Sequence, residues 1–476
     1  MNVLFCSGEA YPYSKTGGLA DVSFALPKAL NKLGHKVKII TPLYQVVKTY
    51  QHEMKFLGYR DIVMGSYDKK ALYYELVYQG TTYIFVENDD LFNRPRLYGY
   101  EDDSIRFTFF NFAILEYIRL TSDFPDIIHV NDWQTGMVPF LLDAKYRHPY
   151  KGFLDIKTLL SIHNLEKQGS YPIETEKLFG SKNFTYIHDD RVNFLKCGIM
   201  RAHAINTVSD NYRHEILTRF YGFSLDFALR SRMNDLFGIL NGLDQELYNP
   251  MTSTSLTQNY DEDSFTLAKK KNKDKIIEHF HFEHLEHKPL VIFNSRFARQ
   301  KGIDLLMNVL EDYLKRKDFY FIAMGSGDMI YESFFKEMSY SYPTHVAYIP
   351  GFDHDTSILL YAASDLFILP SLFEPCGLNH MIAMRYGSLP LVRETGGLKD
   401  TVTPYNKYTN VGVGFTFKNY DQVELIDALN HALQVYHHDP EAWRSLVQQA
   451  MHVNHSVEKM AKQYETLYMN LMKSKN

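Results

Sequence analysis

A chain of 476 residues exceeds the reach of one ordinary hydrophobic core and fits two domains or more. Its 45% hydrophobic and 22% charged content is that of a soluble globular protein, and a net charge of −5 argues against a nucleic-acid partner. Cys6, Cys197 and Cys376 stand too far apart for a disulfide framework or a zinc site, so a reducing cytoplasm is the expected location.

The first apolar run, Val3–Cys6, predicts a strand at the very start, with no signal peptide and no spanning helix, hence no membrane partner. A glycine-containing loop follows, then a helix to about Leu33 that Gly34 ends, then a strand at Val37–Thr41. Strand, glycine loop, helix, strand is the doubly wound arrangement, in which ligands lie at the carboxyl ends of the strands. Gly17 and Gly18 let backbone approach a ligand closely, and Lys15 can set a cation on a phosphate, though a loop lysine is as readily just solvated. Thr82–Val86 predicts a strand leading to Phe92-Asn93-Arg94-Pro95, and Asp126–Val130 another leading to Asn131-Asp132-Trp133, which starts a helix. By itself Asp132 reads first as that helix's N-cap. Lys157–Ile162 is the next predicted strand; it ends in His163-Asn164, which suits a cleft but also a core position. Asn193–Lys196 and Ala204–Ser209 continue the rhythm as helix and strand.

The turn signal Asn241-Gly242 closes the first half. The charged stretch Lys269–Lys273 reads as a solvated helix face. Leu290–Asn294 restarts the α/β alternation. Arg296 and Lys301 then flank one loop at a helix start, where two cations can converge on one diphosphate. Phe319–Met324, His345–Ile349 and Leu366–Leu369 are further strands, and Phe352, after Gly351, offers a ring to a nucleobase. In Pro370–Val402 the acid Glu374 precedes a helix expected from about Cys376 to Tyr386, whose first N–H groups, at Cys376 and Leu378, favour an anion. Leu389–Val392 is a strand, and Thr395-Gly396-Gly397 a turn that brings backbone close to a ligand. Local pattern alone leaves open a plain βαβ unit in which Glu374 only caps the helix. Tyr420–Val435 and Val457–Met472 predict amphipathic helices. Asp353-His354-Asp355 and Asp261-Glu262-Asp263 have a D-x-D form but read as chance matches, and no His/Cys cluster has ligand spacing, so no metal is expected.

The whole string FEPCGL…AMRYG…TGGLKDTV, from Phe373 to Val402, resembles the signature of bacterial glycogen synthases and plant starch synthases, which use ADP-glucose. KTGGLADV from Lys15, Asp132-Trp133, His163-Asn164 with Gln168-Gly169, Asn241-Gly242-Leu243-Asp244, and Arg296 with Gln300-Lys301-Gly302 follow that family's order along essentially the entire chain. The resemblance implies an α/β fold of two facing Rossmann-like domains, the GT-B architecture, with the active site in the cleft between them. Residues 1–240 would form the acceptor-side domain, 241–454 the donor-side domain, and 455–476 a helix crossing back onto the first. The implied reaction carries glucose from ADP-glucose to the non-reducing end of glycogen or another α-1,4-glucan, with retention and without a cofactor or metal. The resemblance places Glu374, His163, Arg296, Lys301 and Asp132 at the chemistry. It assigns Lys15, Gly18, Phe352, Leu378, Asn241, Thr395 and Gly397 to the donor, and Glu9, Asp21 and Asn164 to the sugar or acceptor side. Three departures stand out: Asn131 where the family has histidine, Glu166-Lys167 where it has Ala-Tyr, and Phe92-Asn93 where a tyrosine precedes its D-R-P. A retaining transferase of the same fold acting on another acceptor or on UDP-glucose, a nucleotide-sugar epimerase and a non-catalytic glucan-binding protein remain as alternatives.

Overall fold

Near-continuous apolar runs become strands buried on both faces: no residue of Ile127–Asn131 or Lys157–Ile162 is exposed. The computed structural model describes residues 1–180 and 183–473; the last three residues of the expected C-terminal segment, 474–476, lie outside them. The chain divides into two units, Met1–Gly242 with Val457–Asn476, and Leu243–Ser456.

The strands of the first unit are β1 Asn2–Cys6, β2 Lys36–Pro42, β3 Lys55–Met64, β4 Tyr67–Tyr78, β5 Thr81–Glu87, β6 Ile127–Asn131, β7 Lys157–Ile162, β8 Ser170–Pro172, β9 Ile187–His188, β10 Arg191–Asn193, β11 Ala204–Thr207 and β12 Leu236–Gly238. Nine of them form one sheet in the order β12-β11-β7-β6-β1-β2-β5-β4-β3, parallel from β12 to β5 and antiparallel in the β5-β4-β3 edge. Cys6 pairs with Val130 and Asn131 with Ser161, so the loops after β1, β6 and β7 leave the sheet side by side. Helix Gly18–Lys32 and the C-terminal helix Val457–Lys473 pack together against this sheet through Leu26, Leu30, Met460, Tyr464 and Tyr468. The packing carries a satisfied polar seam. His129 Nδ1 meets Tyr468 Oη at 2.7 Å, His129 Nε2 meets Ser161 Oγ at 2.6 Å, and Asn206 donates to Tyr464 Oη at 2.8 Å.

The second unit holds β13 Leu290–Asn294, β14 Tyr320–Gly325, β15 Val346–Pro350, β16 Leu366–Leu369, β17 Leu389–Arg393 and β18 Phe415–Phe417 in a parallel sheet ordered β15-β14-β13-β16-β17-β18. The loops after β13, β16 and β17 therefore emerge next to one another, at the carboxyl edge where such sheets hold ligands.

Two expectations are corrected here. The helix after Glu374 is shorter than expected, spanning Asn379–Arg385, because Gly377 takes φ +77° and breaks the turn that Cys376 would begin. The lysine run is not uniformly solvated. Lys269, on helix Phe265–His279, is buried, and its ammonium donates to the carbonyls of Tyr361 (3.4 Å), Ala362 (2.9 Å) and Tyr386 (2.9 Å). These carbonyls end the helices His354–Ala363 and Asn379–Arg385, where unsatisfied C=O groups and the helix dipole attract a cation. Burial pushes the Lys269 pKa down to about 7. Replacing Lys269 by Ala is expected to destabilise the protein by about 2–4 kcal/mol, since buried carbonyls lose their partner. Lys270→Ala, at an exposed site, should change stability by less than about 0.5 kcal/mol. Thermal unfolding checks this, and equal midpoints for the two variants would contradict the assignment.

Candidate active site

In the first unit the loop after β1 folds around Glu9. Its carboxylate accepts from the Thr16 N–H (2.7 Å) and the Thr16 hydroxyl (2.6 Å), which closes the turn that carries Lys15, Gly17 and Gly18. Burial raises the Glu9 pKa against those hydrogen bonds. The Thr16 hydroxyl also makes a very short contact with Tyr98 Oη, so the segment after Arg94-Pro95 touches this loop through Tyr98. Gly18 is the first residue of helix Gly18–Lys32. The Lys15 ammonium lies 2.6 Å from Asp21 Oδ1, one helical turn in, and is thereby aimed from the helix start.

Asp132 overturns its simplest reading. What starts at Asp132 is only the short turn Trp133–Thr135, the helix Val138–Leu141 beginning further on, and its side chain caps nothing there. Its backbone instead adopts φ +52°, an uncommon conformation for a residue with a side chain. That twist turns the carboxylate toward β7, where Oδ1 accepts the N–H groups of His163 (2.7 Å) and Asn164 (3.4 Å). Burial raises the Asp132 pKa to about 7, opposed by those two N–H groups and reinforced by Glu9. Burial likewise lowers His163 to about 4, so its ring is neutral at pH 7. His163 Nε2 lies 2.9 Å from Asn131 Oδ1. The Asn164 side chain accepts from the Glu166 N–H at 3.1 Å and shapes the loop rather than pointing away from it. Asn241 is buried, and its Oδ1 has no partner among the described residues.

In the second unit the central contact is an ion pair: Lys301 Nζ sits 2.6 Å from Glu374 Oε2, with both side chains nearly buried. The Ser371 hydroxyl donates to the same oxygen at 3.1 Å. Glu374 Oε1 is bonded to nothing among the described residues and is not sealed from solvent. Backbone stitches hold the two loops: Leu372 N–H donates to Gln300 O (2.9 Å), and the Gln300 amide to Phe373 O (3.3 Å). Gly302 is required at this junction, because a Cβ there would come 1.9 Å from Pro370 O at φ +73°. Arg393 Nε, from the end of β17, donates to Ser371 O at 2.8 Å.

The Thr395-Gly396-Gly397 segment, expected as a turn, starts the short helix Gly396–Thr401 and packs closely against the Glu374 loop. A Cβ on Gly396 would lie 1.9 Å from Glu374 O, and the Gly397 N–H donates to Glu374 O and Pro375 O at 3.1 Å each. Gly397 thus fixes the Glu374 loop, and its N–H is spent there; Thr395 is buried beside it. Leu378 immediately precedes helix Asn379–Arg385. Arg296 is exposed and makes no hydrogen bond or ion pair among the described residues, and Phe352 presents an exposed ring after β15. The D-x-D acids are occupied: Asp353 caps helix His354–Ala363 by accepting from Thr356 N–H (2.8 Å), and Asp261 accepts from the Ser264 N–H (2.9 Å) and hydroxyl (2.5 Å).

Sequence reading missed Ser371, Thr16 and Tyr98, all hydroxyls whose partners are distant in the chain or set by loop geometry. It noticed Asn131 as a departure without finding its partner.

Comparison with known proteins bears on the family and the fold. The family profile described as starch synthase catalytic domain matches residues 2–231, and that described as glycosyl transferases group 1 matches residues 274–450. A glycogen synthase of Acholeplasma laidlawii (strain PG-8A) is 48% identical over 477 residues, covering 100% of both chains. One from Clostridium botulinum (strain Alaska E43 / Type E3) is 40% identical over 478 residues, covering 99% of each. Among solved structures, the catalytic domain of starch synthase IV from Arabidopsis thaliana bound to ADP and acarbose superposes with a TM-score of 0.92 at 32% identity, covering 99% of each chain. Sucrose-phosphate synthase from Thermosynechococcus elongatus, at TM-score 0.62 and 17% identity, shares the fold, covering 99% of this chain and 98% of its own.

The Asp132 geometry has a thermodynamic consequence. Its folded-state pKa, about 7, lies above the ordinary 3.8, so between those values the folded protein binds more protons than the unfolded chain. The carboxyl's contribution to stability therefore falls as pH rises through that window. Asp132→Asn removes the ionisation. Its stability relative to the parent is expected to improve from pH ~4 to pH ~7, by on the order of 3 kcal/mol. Urea unfolding of both proteins at the two pH values checks this; a pH-independent difference would contradict it.

Proposed function

The chain belongs to the glycogen synthase and starch synthase family of GT-B glycosyltransferases, and from that premise we propose how its residues carry out hexosyl transfer: glucose moves from ADP-glucose to the non-reducing 4-hydroxyl of an α-1,4-glucan, with retention. The observation that carries this reading is the division of Glu374. One oxygen is fixed by Lys301 and Ser371, and the other is open to accept sugar hydroxyls.

In the second unit, Arg296 and Lys301 supply positive charge for the diphosphate, and Phe352 a ring for the adenine. The Glu374 carboxylate holds the sugar and favours positive charge developing at its C1. Lys301 is already in place because Glu374 and the Gln300–Leu372 stitch hold it, so little reorganisation accompanies the reaction. In the first unit, Lys15 offers a cation to a phosphate and His163 a neutral ring to a sugar hydroxyl. Cations and N–H groups handle the leaving-group charge, and no metal is needed.

Retention through a covalent intermediate would need a second, unengaged carboxylate as nucleophile. Glu9 is tied to Thr16, Asp21 to Lys15, and Asp132 to two backbone N–H groups with its pKa raised. The acceptor 4-oxygen is instead read as attacking C1 from the side of the departing diphosphate. The C1–O bond to phosphate breaks as the new C1–O bond forms, and the hydroxyl proton passes to the leaving phosphate oxygen. No helix of the described residues is long and apolar enough to cross a membrane.

Transfer of labelled glucose to glycogen tests the reading, with ADP-glucose and UDP-glucose supplied in parallel. Incorporation is expected from ADP-glucose, unchanged by excess EDTA, and reduced by at least about 100-fold in Lys15→Gln and in Glu374→Ala. Incorporation from UDP-glucose alone would reassign the donor, and none from either donor would contradict the reaction.

A further inference from the structure

The carboxyl end of β6 holds His163 twice. Asp132 takes its backbone N–H, and Asn131 takes its ring. Asn131 is fully buried, and its amide has a determined orientation. The amide nitrogen donates to Cys6 O at 3.0 Å and, more weakly, toward His129 O at 3.5 Å. Its own N–H donates to Thr135 Oγ1 at 2.7 Å, which fixes the backbone beneath it. Oδ1 is therefore the atom 2.9 Å from His163 Nε2, and an amide oxygen can only accept. The ring must answer with a proton on Nε2. In a neutral imidazole one nitrogen carries the proton and the other a lone pair, so Nδ1 is left bare. Nδ1 makes no hydrogen bond among the described residues and is not among the sealed polar atoms.

We propose that Asn131 is a positioning residue that locks His163 in the Nε2–H tautomer, so that Nδ1 is presented as an acceptor for a hydroxyl proton of the transferred sugar. This rests on the sugar-side reading of His163 given above. The depressed basicity of the buried ring keeps it neutral, which is the state in which a tautomer lock has meaning. The chemistry also gives the departure at this position a consequence. A histidine in place of Asn131, as the resembled family carries, can give or take a proton and would leave the tautomer of His163 open. An asparagine whose nitrogen is already spent cannot.

The test begins with the unaltered protein. With ring-15N histidine and His163 assigned from a His163→Ala sample, long-range proton–nitrogen correlation distinguishes the tautomers, and a protonated Nε2 with bare Nδ1 is expected. A protonated Nδ1 would overturn the proposal. Asn131→Leu should erase the bias and lower kcat about 10- to 100-fold, with ADP affinity unchanged. Asn131→Asp, which retains an acceptor for Nε2–H, should keep the tautomer and recover most of kcat. An unchanged tautomer and kcat in Asn131→Leu would likewise overturn it. Full activity in His163→Ala would instead strike at the sugar contact itself, and would remove the catalytic consequence while leaving the spectroscopic result standing.

Discussion

The buried contact between Lys301 and Glu374 is the constraint on which the second unit's site depends. A charge taken out of water is costly unless paired, so neither side chain can leave while the other remains. The pair joins the loop after β13 to the loop after β16, and the glycines follow from that closeness. Gly302 and Gly396 stand where any side chain would strike the backbone of Pro370 or Glu374. Arg393 and Gln300 complete the lacing through backbone carbonyls. The result is a carboxylate with one oxygen immobilised and one available, beside a lysine that needs no further ordering to meet a phosphate.

The first unit uses its acids differently. Glu9 and Asp132 serve as acceptors for backbone N–H groups and so build the loops that carry Lys15 and His163. Both are buried, and both are pushed toward the neutral form. Groups committed in this way shape a site well and attack poorly, which is the physical reason for placing the chemistry between acceptor and leaving phosphate. The left-handed backbone at Asp132 is the strained feature that makes the arrangement possible, since a regular N-cap would direct the carboxylate along the chain rather than across to β7.

Much of this was legible in the sequence. The apolar runs that predict strands lie at the observed strands within a residue or so, because two-sided burial leaves no polar alternation to confuse the period. The glycine-bearing motifs lie at loop-to-helix junctions, Gly18 and Gly396 each being the first residue of a helix. What could not be read was which part of the chain a loop glycine approaches: Gly396 and Gly397 pack against Glu374 and Cys376, and that depends on two strands being neighbours. Lys269 looked like its neighbours in a charged run, yet one helical position decides between solvent and the carbonyl ends of two helices. Asp132 carried a cap-like signature, and only the pairing of β6 with β7 turns it toward His163.

The central claim is that Lys301 and Glu374 act as one unit. A double-mutant cycle on kcat/KM for glucose transfer, with Lys301→Met, Glu374→Gln and the double variant, measures it most directly. The account predicts strong non-additivity: the double variant should be little worse than the weaker single one, with a coupling on the order of 2–5 kcal/mol. Losses that simply add would mean that the two side chains act independently, and would contradict it.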